Sequence, residues 1–352
     1  MRARKWAALV LVMGLVAAAC GDDDDAGAWP EKLVFGFVPS QEVEALQDDV
    51  DAFAAVLAEA LGIEVEGVVT TDYTGLGVAL GTGQADLGAF GPAGYVLASR
   101  SYDNLELLAQ SVRFGDSTYH GQFFTNDPTV CTGDPVVGAY YYDADGNVAF
   151  VASTDTPAQQ VGFNSDGTTP ELNDSGQELA QGLVCPEPVD LSVMVGHSIF
   201  FGTETSTSGY IFPTIQLRQA GITDDQYTVE FSGGHDHSVR AVYDSTEARV
   251  FGVSFDDARR TVRHEKADVG SKVIVFNITT RIANDVIAIR SDLPDDLKDA
   301  IFNAMQAYIG TEEGQAVMEE LYSWTDLIRA DATTEQSLTL IGDAIDELGF
   351  GT

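Results

Sequence analysis

Basic side chains are scarce in this sequence. Its 352 residues hold 18 Lys plus Arg against 55 Asp plus Glu, a formal net charge of −37. This balance argues against nucleic acid as a partner, because binding it needs a basic footprint that displaces condensed counterions. It also opposes adsorption on anionic lipid. A small anionic ligand stays compatible with it, since a pocket can be locally positive inside an acidic protein. No apolar run reaches the roughly 20 residues that a membrane-crossing helix needs. There is no Gly-x-Ser-x-Gly elbow and no His-Glu-x-x-His pair, so two common signatures of hydrolases are missing. No repeat of solenoid type is present. What is there is globular material, 45% hydrophobic and 21% charged. Such a composition can bury a sizeable core, and the length suggests two domains.

The N-terminus reads as an export address. Arg2, Arg4 and Lys5 precede an apolar stretch from Trp6 to Ala19, too short to span a bilayer. It ends Leu15-Val16-Ala17-Ala18-Ala19-Cys20. Small residues directly before Cys resemble the bacterial lipobox, so residues 1–19 are expected to be a signal peptide and Cys20 the lipidated residue. Gly21 and the run Asp22–Asp25 then begin a polar, flexible tether over residues 20–31. Cleavage removes three basic and no acidic residues, taking the charge from −37 to −40. The mature chain is expected outside the cytoplasmic membrane, held by its lipid. Cys131 and Cys185 remain, and an even pair in an exported protein suggests one disulfide.

From residue 31 the pattern alternates strand and helix, which implies a parallel-type sheet covered by helices. Strands are expected at Lys32–Val38, Ile63–Val69, Ala85–Phe90, Leu105–Val112 and Tyr119–Thr125. Glu42–Leu61 is a helix with Val50, Phe53, Ala54, Leu57 and Leu61 on one face. Shorter helices fall at Tyr73–Leu80 and Ala93–Ser99. Residues 126–190 break the rhythm and read as an inserted subdomain. Tyr140–Tyr142 and Val148–Ala152 in it flank the turn signal Asp143-Ala144-Asp145-Gly146-Asn147. The alternation then resumes, with strands at Ser198–Gly202, Tyr227–Phe231, Arg249–Phe255, Lys272–Asn277 and Asp285–Arg290. Helices are expected at Ser208–Gln219, Val239–Tyr243, Asp256–Val262, Pro294–Ile309, Glu312–Leu321 and Glu335–Leu348.

Two segments stand out chemically. In Gly202-Thr203-Glu204-Thr205-Ser206-Thr207-Ser208-Gly209-Tyr210 a strand ends, hydroxyls follow and a helix begins. Helix-start amides plus three hydroxyls can hold a tetrahedral oxyanion without Lys or Arg. The same run reads equally as a Ser/Thr-rich helix cap. In Ser232-Gly233-Gly234-His235-Asp236-His237, a His can donate to an anion and change charge near neutral pH. It reads equally as a surface turn, and no further cluster fits a metal. Thr71-Asp72-Tyr73, Tyr119-His120-Gly121 and Ala283-Asn284-Asp285 each sit at the edge of an expected element.

The order of these segments resembles the substrate-binding proteins of phosphonate, phosphite and phosphate ABC importers. The resemblance runs through Phe35-Gly36-Phe37-Val38-Pro39-Ser40, Thr71-Asp72-Tyr73 and Gly83–Tyr95. It continues in Ser206-Thr207-Ser208-Gly209-Tyr210 with Pro213, Gly233-Gly234-His235 with Ala241-Val242-Tyr243, and Asn284-Asp285. It implies that Ser206, Thr207 and Ser208 hold the phosphorus-bound oxygens, with His235, Tyr73 and Tyr119 donating to the same group. Asp285 would accept from a protonated oxygen or a ligand amine. Tyr95 would lie at the cleft wall, and Asp256 where a second acidic cleft residue can occur. The implied architecture is α/β, a two-lobed type II periplasmic-binding-protein fold with discontinuous lobes joined by crossing strands. Lobe 1 would be residues 32–120 plus 278–352 and lobe 2 residues 121–277, hinged at Tyr119–Thr125 and near Asn277–Asn284. The implied role is a monomeric, lipid-anchored receptor serving an ABC permease, with no cofactor. Its rivals are a sensory receptor reporting to a membrane kinase, and an exported hydrolase with Ser206 or Ser208 as nucleophile and His235 as base.

Overall fold

A computed structural model describes residues 29–41, 43–113, 115–142, 148–152, 182–347 and 349. The leader, Cys20 and the tether up to residue 28 lie outside the described residues. The apolar runs form two main sheets. In the first, Lys32–Phe37 pairs in parallel with Glu64–Val69 and Leu87–Phe90. Val286–Arg290 then enters antiparallel between Leu87–Phe90 and Leu105–Val112. The strand Asp326–Arg329, which the sequence pattern did not signal, closes the far edge. This sheet therefore draws strands from both ends of the chain. The second sheet runs Thr228–Phe231, Ser198–Phe201, Phe251–Phe255, Gly121–Thr125, Ile274–Ile278, Leu183–Val184, Val136–Tyr142 and Val148–Ala152. The molecule is thus two α/β lobes. Among the described residues no helix is long and apolar enough to cross a membrane.

The first lobe shows why the pattern folds this way. Val50, Phe53, Ala54 and Leu57 of helix Val43–Leu61 are buried, and Leu61 at its end is half-buried. Phe35 and Phe37 stack at 4.4 Å between ring centroids, and Phe53 meets both. At Gly67 a Cβ would lie 2.3 Å from Val50 Cγ1, so only glycine lets the helix settle so closely on its strand.

Three expectations are corrected. The single strand Tyr119–Thr125 is two: Thr118–Tyr119 pairs with Ile282–Ala283, while Gly121–Thr125 joins the second sheet. The break at His120 is where the chain crosses between lobes. Gly121 and Thr279 tie the two crossing segments, with Gly121 N donating to Thr279 Oγ1 (2.7 Å) and Thr279 N to Gly121 O (2.8 Å). The helix expected from Val239 begins at His235. Of Asp256–Val262 only Arg259–Val262 is helical, because Asp257 sits at φ +37° with its carboxylate clamped by Arg259 at 2.8 and 2.9 Å.

Inside 126–190, Val136–Tyr142 and Val148–Ala152 pair antiparallel as the turn signal suggested. The turn 143–147 and residues 153–181 lie outside the described residues. The hairpin reaches the second sheet through Leu183–Val184. Cys131 and Cys185 form the expected disulfide across a separation of 54 residues. Closing a loop of that length should stabilise the fold by about 4 kcal/mol through the unfolded state. Urea unfolding of the chain with and without reductant should show a loss of this order, matched by Cys131→Ser. A loss below about 1 kcal/mol would mean that loop closure contributes little.

Candidate functional site

Glu64–Val69 and Leu87–Phe90 of the first sheet and Ser198–Phe201 and Thr228–Phe231 of the second end toward the cleft between the lobes, where open α/β sheets bind ligands. Four helices begin there. Tyr73 opens helix Tyr73–Gly81, with Asp72 as its cap accepting from Gly75 N at 2.7 Å. Gly91 caps Pro92–Ser101, Ser206 caps the segment from Thr207, and Gly234 precedes His235–Asp244. Tyr73, Gly91, Ser206 and His235 all line one small cavity of about 40 Å³. A single buried water needs roughly 10–15 Å³, so the space suits a compact ligand. Helix starts carry unpaired amides and a partial positive charge that fades within a turn. Their convergence favours an anion.

The Ser-Thr-Ser run supplies the hydroxyls. Ser206 Oγ accepts from Gly209 N at 3.1 Å. Thr207 Oγ1 accepts from Ala93 N at 3.0 Å, a bond that spans the two lobes. Ser208 Oγ accepts from Tyr119 Oη at 3.2 Å. Each hydroxyl is held as an acceptor and keeps its own proton to donate. All three residues are buried and line the cavity. Thr207–Ile211 is a π-helix, with Ile211 N reaching back to Ser206 O at 3.0 Å, a wide turn of the kind found at functional sites. Gly209 permits it: a Cβ there would stand 2.7 Å from Ser206 Oγ and 3.0 Å from His235 Cε1.

His235 is buried, and its Nδ1 accepts from Phe255 N at 3.1 Å. The neutral ring therefore carries its proton on Nε2, which lies 3.4 Å from Ser206 Oγ. Burial, aided by the Arg113 charge, pushes its pKa down to about 3. This corrects the expectation of a charge change near neutral pH: His235 is a fixed neutral donor. That proton also makes Nε2 the wrong partner for a Ser206 nucleophile, which would need an acceptor there. Burial raises the phenols of Tyr73 and Tyr119 above their usual range, with the Asp285 charge adding to it, so both stay protonated donors.

A charged residue of the cavity was missed. Arg113 lines it and pairs with Asp285, their side chains 12% and 13% exposed. Its guanidinium lies 4.6 Å from the Tyr119 ring centroid. The site thus contains a cation, against the expectation of a pocket without Lys or Arg. The available signal was a basic residue directly after the strand Leu105–Val112 in a chain with only 18. Asp285 lies in the cavity as expected, but its Oδ2 already takes Arg113 and Trp324 Nε1, the latter at 3.1 Å. Ser40, also missed in any role, lines the cavity with its hydroxyl buried and unpartnered among the described residues.

Two expected residues lie elsewhere. Tyr95 follows Ala93 by two positions, about 200° around the helix, and lines a separate surface depression with Arg100 and Glu335. Asp256 is absent from the cavity wall. Its Oδ1 accepts from Gln122 Nε2 at 2.9 Å and its Oδ2 is 3.9 Å from His120, because the turn at Asp257 swings it toward the crossing strand. Burial raises its pKa.

Known proteins share this architecture. The chain is 23% identical over 251 residues to the phosphate-import protein PhnD of Mycolicibacterium smegmatis, a match covering 68% of this chain and 61% of that protein's length. It superposes on PhnD1 of Prochlorococcus marinus, solved with methylphosphonate, at a TM-score of 0.66 and 18% identity, covering 91% of this chain and 99% of that one. A binding protein component of an ABC phosphonate transporter from Pseudomonas aeruginosa superposes at 0.62 and 14% identity, covering 90% and 87%. The fold is that of the type II periplasmic binding proteins. Over residues 35–334 the sequence matches the family described as "ABC transporter, phosphonate, periplasmic substrate-binding protein", and the chain belongs to that family.

Proposed function

We propose that the chain is an extracytoplasmic receptor, lipid-anchored through Cys20, that captures a small phosphorus oxyanion and presents it to an ABC permease. The observation that carries this reading is the convergence of four helix starts and three buried hydroxyls on one small cavity between the lobes. Ser206, Thr207 and Ser208 donate to the phosphorus-bound oxygens, Tyr73 and His235 Nε2 complete the shell, and Tyr119, whose phenol donates to Ser208 Oγ, orients that hydroxyl toward the ligand. Such donors act by geometry and cost no proton transfer. The lobes, residues 32–120 plus 278–352 and residues 121–277, close about the crossing segments as a monomer. Thr207 Oγ1 with Ala93 N, and His235 N with Ser40 O at 3.2 Å, are bonds across the cleft. A ligand touching both walls favours the closed form by binding it better. The phosphate-import and methylphosphonate-bound relatives support the ligand class.

Isothermal titration of the full chain against phosphate, phosphite, methylphosphonate and 2-aminoethylphosphonate tests this. At least one should bind tightly. Removing a hydrogen bond to a charged group costs roughly 1.5–3 kcal/mol, so Ser208→Ala should weaken binding about 10- to 100-fold. Silence across the panel would sink the reading.

The pKa of His235 also fixes a pH dependence. The unfolded imidazole titrates near 6.5 and the folded one near 3. Between these values the unfolded chain binds the extra proton, so stability falls as pH drops below about 6.5. From pH 7 to 5 the loss from this group is about 2 kcal/mol. Urea unfolding should show His235→Asn, which keeps an acceptor for Phe255 N, to be less acid-sensitive than the parent by about that amount. An unchanged difference between the two pH values would refute the buried neutral imidazole.

A further inference from the structure

We propose that Arg113, paired with Asp285, sets the ligand class of the cavity: it offers the oxyanion a cation and occupies the carboxylate that a ligand amine would need. The site then takes compact oxyanions and discriminates against aminoalkyl phosphonates. The inference rests on the receptor reading above and narrows it.

The charge inventory comes first. Among the described residues, Arg113 and Asp285 are the charged side chains that line the cavity, since His235 is held neutral. A buried ammonium needs a carboxylate beside it. Asp285 is the candidate, and its Oδ2 already receives the Arg113 guanidinium and the Trp324 indole N–H. An amine brought there would meet a guanidinium as well as a carboxylate, and like charges in a desolvated site repel strongly.

Arg113 also has capacity left. Its Nε is buried and has no hydrogen-bond partner among the described residues. Stacked over the Tyr119 ring, the guanidinium keeps its planar edge for acceptors, the geometry that suits oxyanions. Tyr119 in turn bonds Ser208 Oγ, so the cation sits one residue away from the hydroxyl run. Burial works against the Arg113 charge, but Asp285 holds its pKa above the usual value, so the cation persists. Ser40 Oγ, a second buried and unpartnered group on the same cavity, points to the same need for an acceptor from the ligand. Size agrees: about 40 Å³ fits a compact oxyanion better than one with an aminoethyl arm.

The test is the same titration panel at pH 7.5, read as ratios. The parent chain should bind its best ligand among phosphate, phosphite and methylphosphonate at least 100-fold more tightly than 2-aminoethylphosphonate. In Arg113→Gln, affinity for that ligand should fall about 10- to 100-fold while 2-aminoethylphosphonate changes less than 3-fold or improves, so the ratio collapses. The double variant Arg113→Gln with Asp285→Asn leaves no uncompensated carboxylate and covers the case in which the single variant does not fold. It should lose the compact ligand to the same extent and gain nothing for the amine. A parent chain that binds 2-aminoethylphosphonate as well as any compact ligand would overturn this inference and leave the receptor reading standing. Retention of compact-ligand affinity by both variants would overturn it too. No binding by the parent to any of the four would overturn both readings together.

Discussion

An acidic chain that is to hold an anion must make its positive potential locally. With a formal charge of −37, long-range attraction works against capture, and ions screen it beyond about 8–10 Å. Backbone dipoles answer this requirement, because a helix start carries roughly half a unit of positive charge whose reach is a single turn. The short reach makes placement the governing constraint. Strands that end at Val69, Phe90, Phe201 and Phe231 deliver their following turns to one cleft, and the helices that follow begin at its wall. The close contacts at Gly67 and Gly209 serve that placement, one by seating a helix on its sheet and one by letting His235 approach Ser206.

The segments that cross between the sheets and the site share residues, which couples them. Tyr119 closes the short strand that pairs across the crossing, and Asp285 follows Ala283 at the end of its partner strand. Asn284 between them fixes the crossing by donating Nδ2 to Ser111 O at 3.1 Å and Asp116 O at 2.7 Å. On the other side a Cβ at Gly121 would lie 3.1 Å from Ser208 O, so the crossing strand presses directly on the hydroxyl turn. A ligand that pulls on Tyr119, Ser208 and the Arg113–Asp285 pair therefore pulls on the segments about which the lobes would move. Rigid interiors transmit such displacements because they pack like crystals.

Much of this was legible in the sequence and some was not, for physical reasons. Period-3.6 patterning placed Val43–Leu61 closely, because the helix buries one long face, and a short apolar run placed Leu105–Val112, whose centre is buried on both faces. The hydroxyl run was visible as a helix start, but its π turn was not, since widening depends on Gly209 meeting His235 from another helix. Asp326–Arg329 was invisible because an edge strand with one buried residue has little periodicity. His120 gave no sign of interrupting an apolar run, since the break is set by which lobe each half joins. Tyr95 and Asp256 show the limit of carrying residues over by resemblance. Two residues along a helix turn a side chain away from the cleft, and one positive φ at Asp257 redirects its neighbour. Arg113 was overlooked because neutral donors alone made a chemically complete site.

The Ser206–His235 pair shows how little separates binding from reaction in such a site. The two residue types and their 3.4 Å separation would suit a nucleophile and its base. One backbone bond decides the matter for this pair. Phe255 N donates to Nδ1, so the imidazole proton is forced onto Nε2 and the ring faces Ser206 as a donor. In a Ser–His–carboxylate arrangement Nδ1 donates instead, and Nε2 is left to accept. Burial keeps the ring from acquiring a second proton near neutral pH, so its role does not change with ordinary pH. The phenols of Tyr73 and Tyr119 are locked as donors by the same means. Ser206, His235, Tyr73 and Tyr119 are thus donors with fixed protons near neutral pH, a set that suits the capture of an oxyanion proposed for this site.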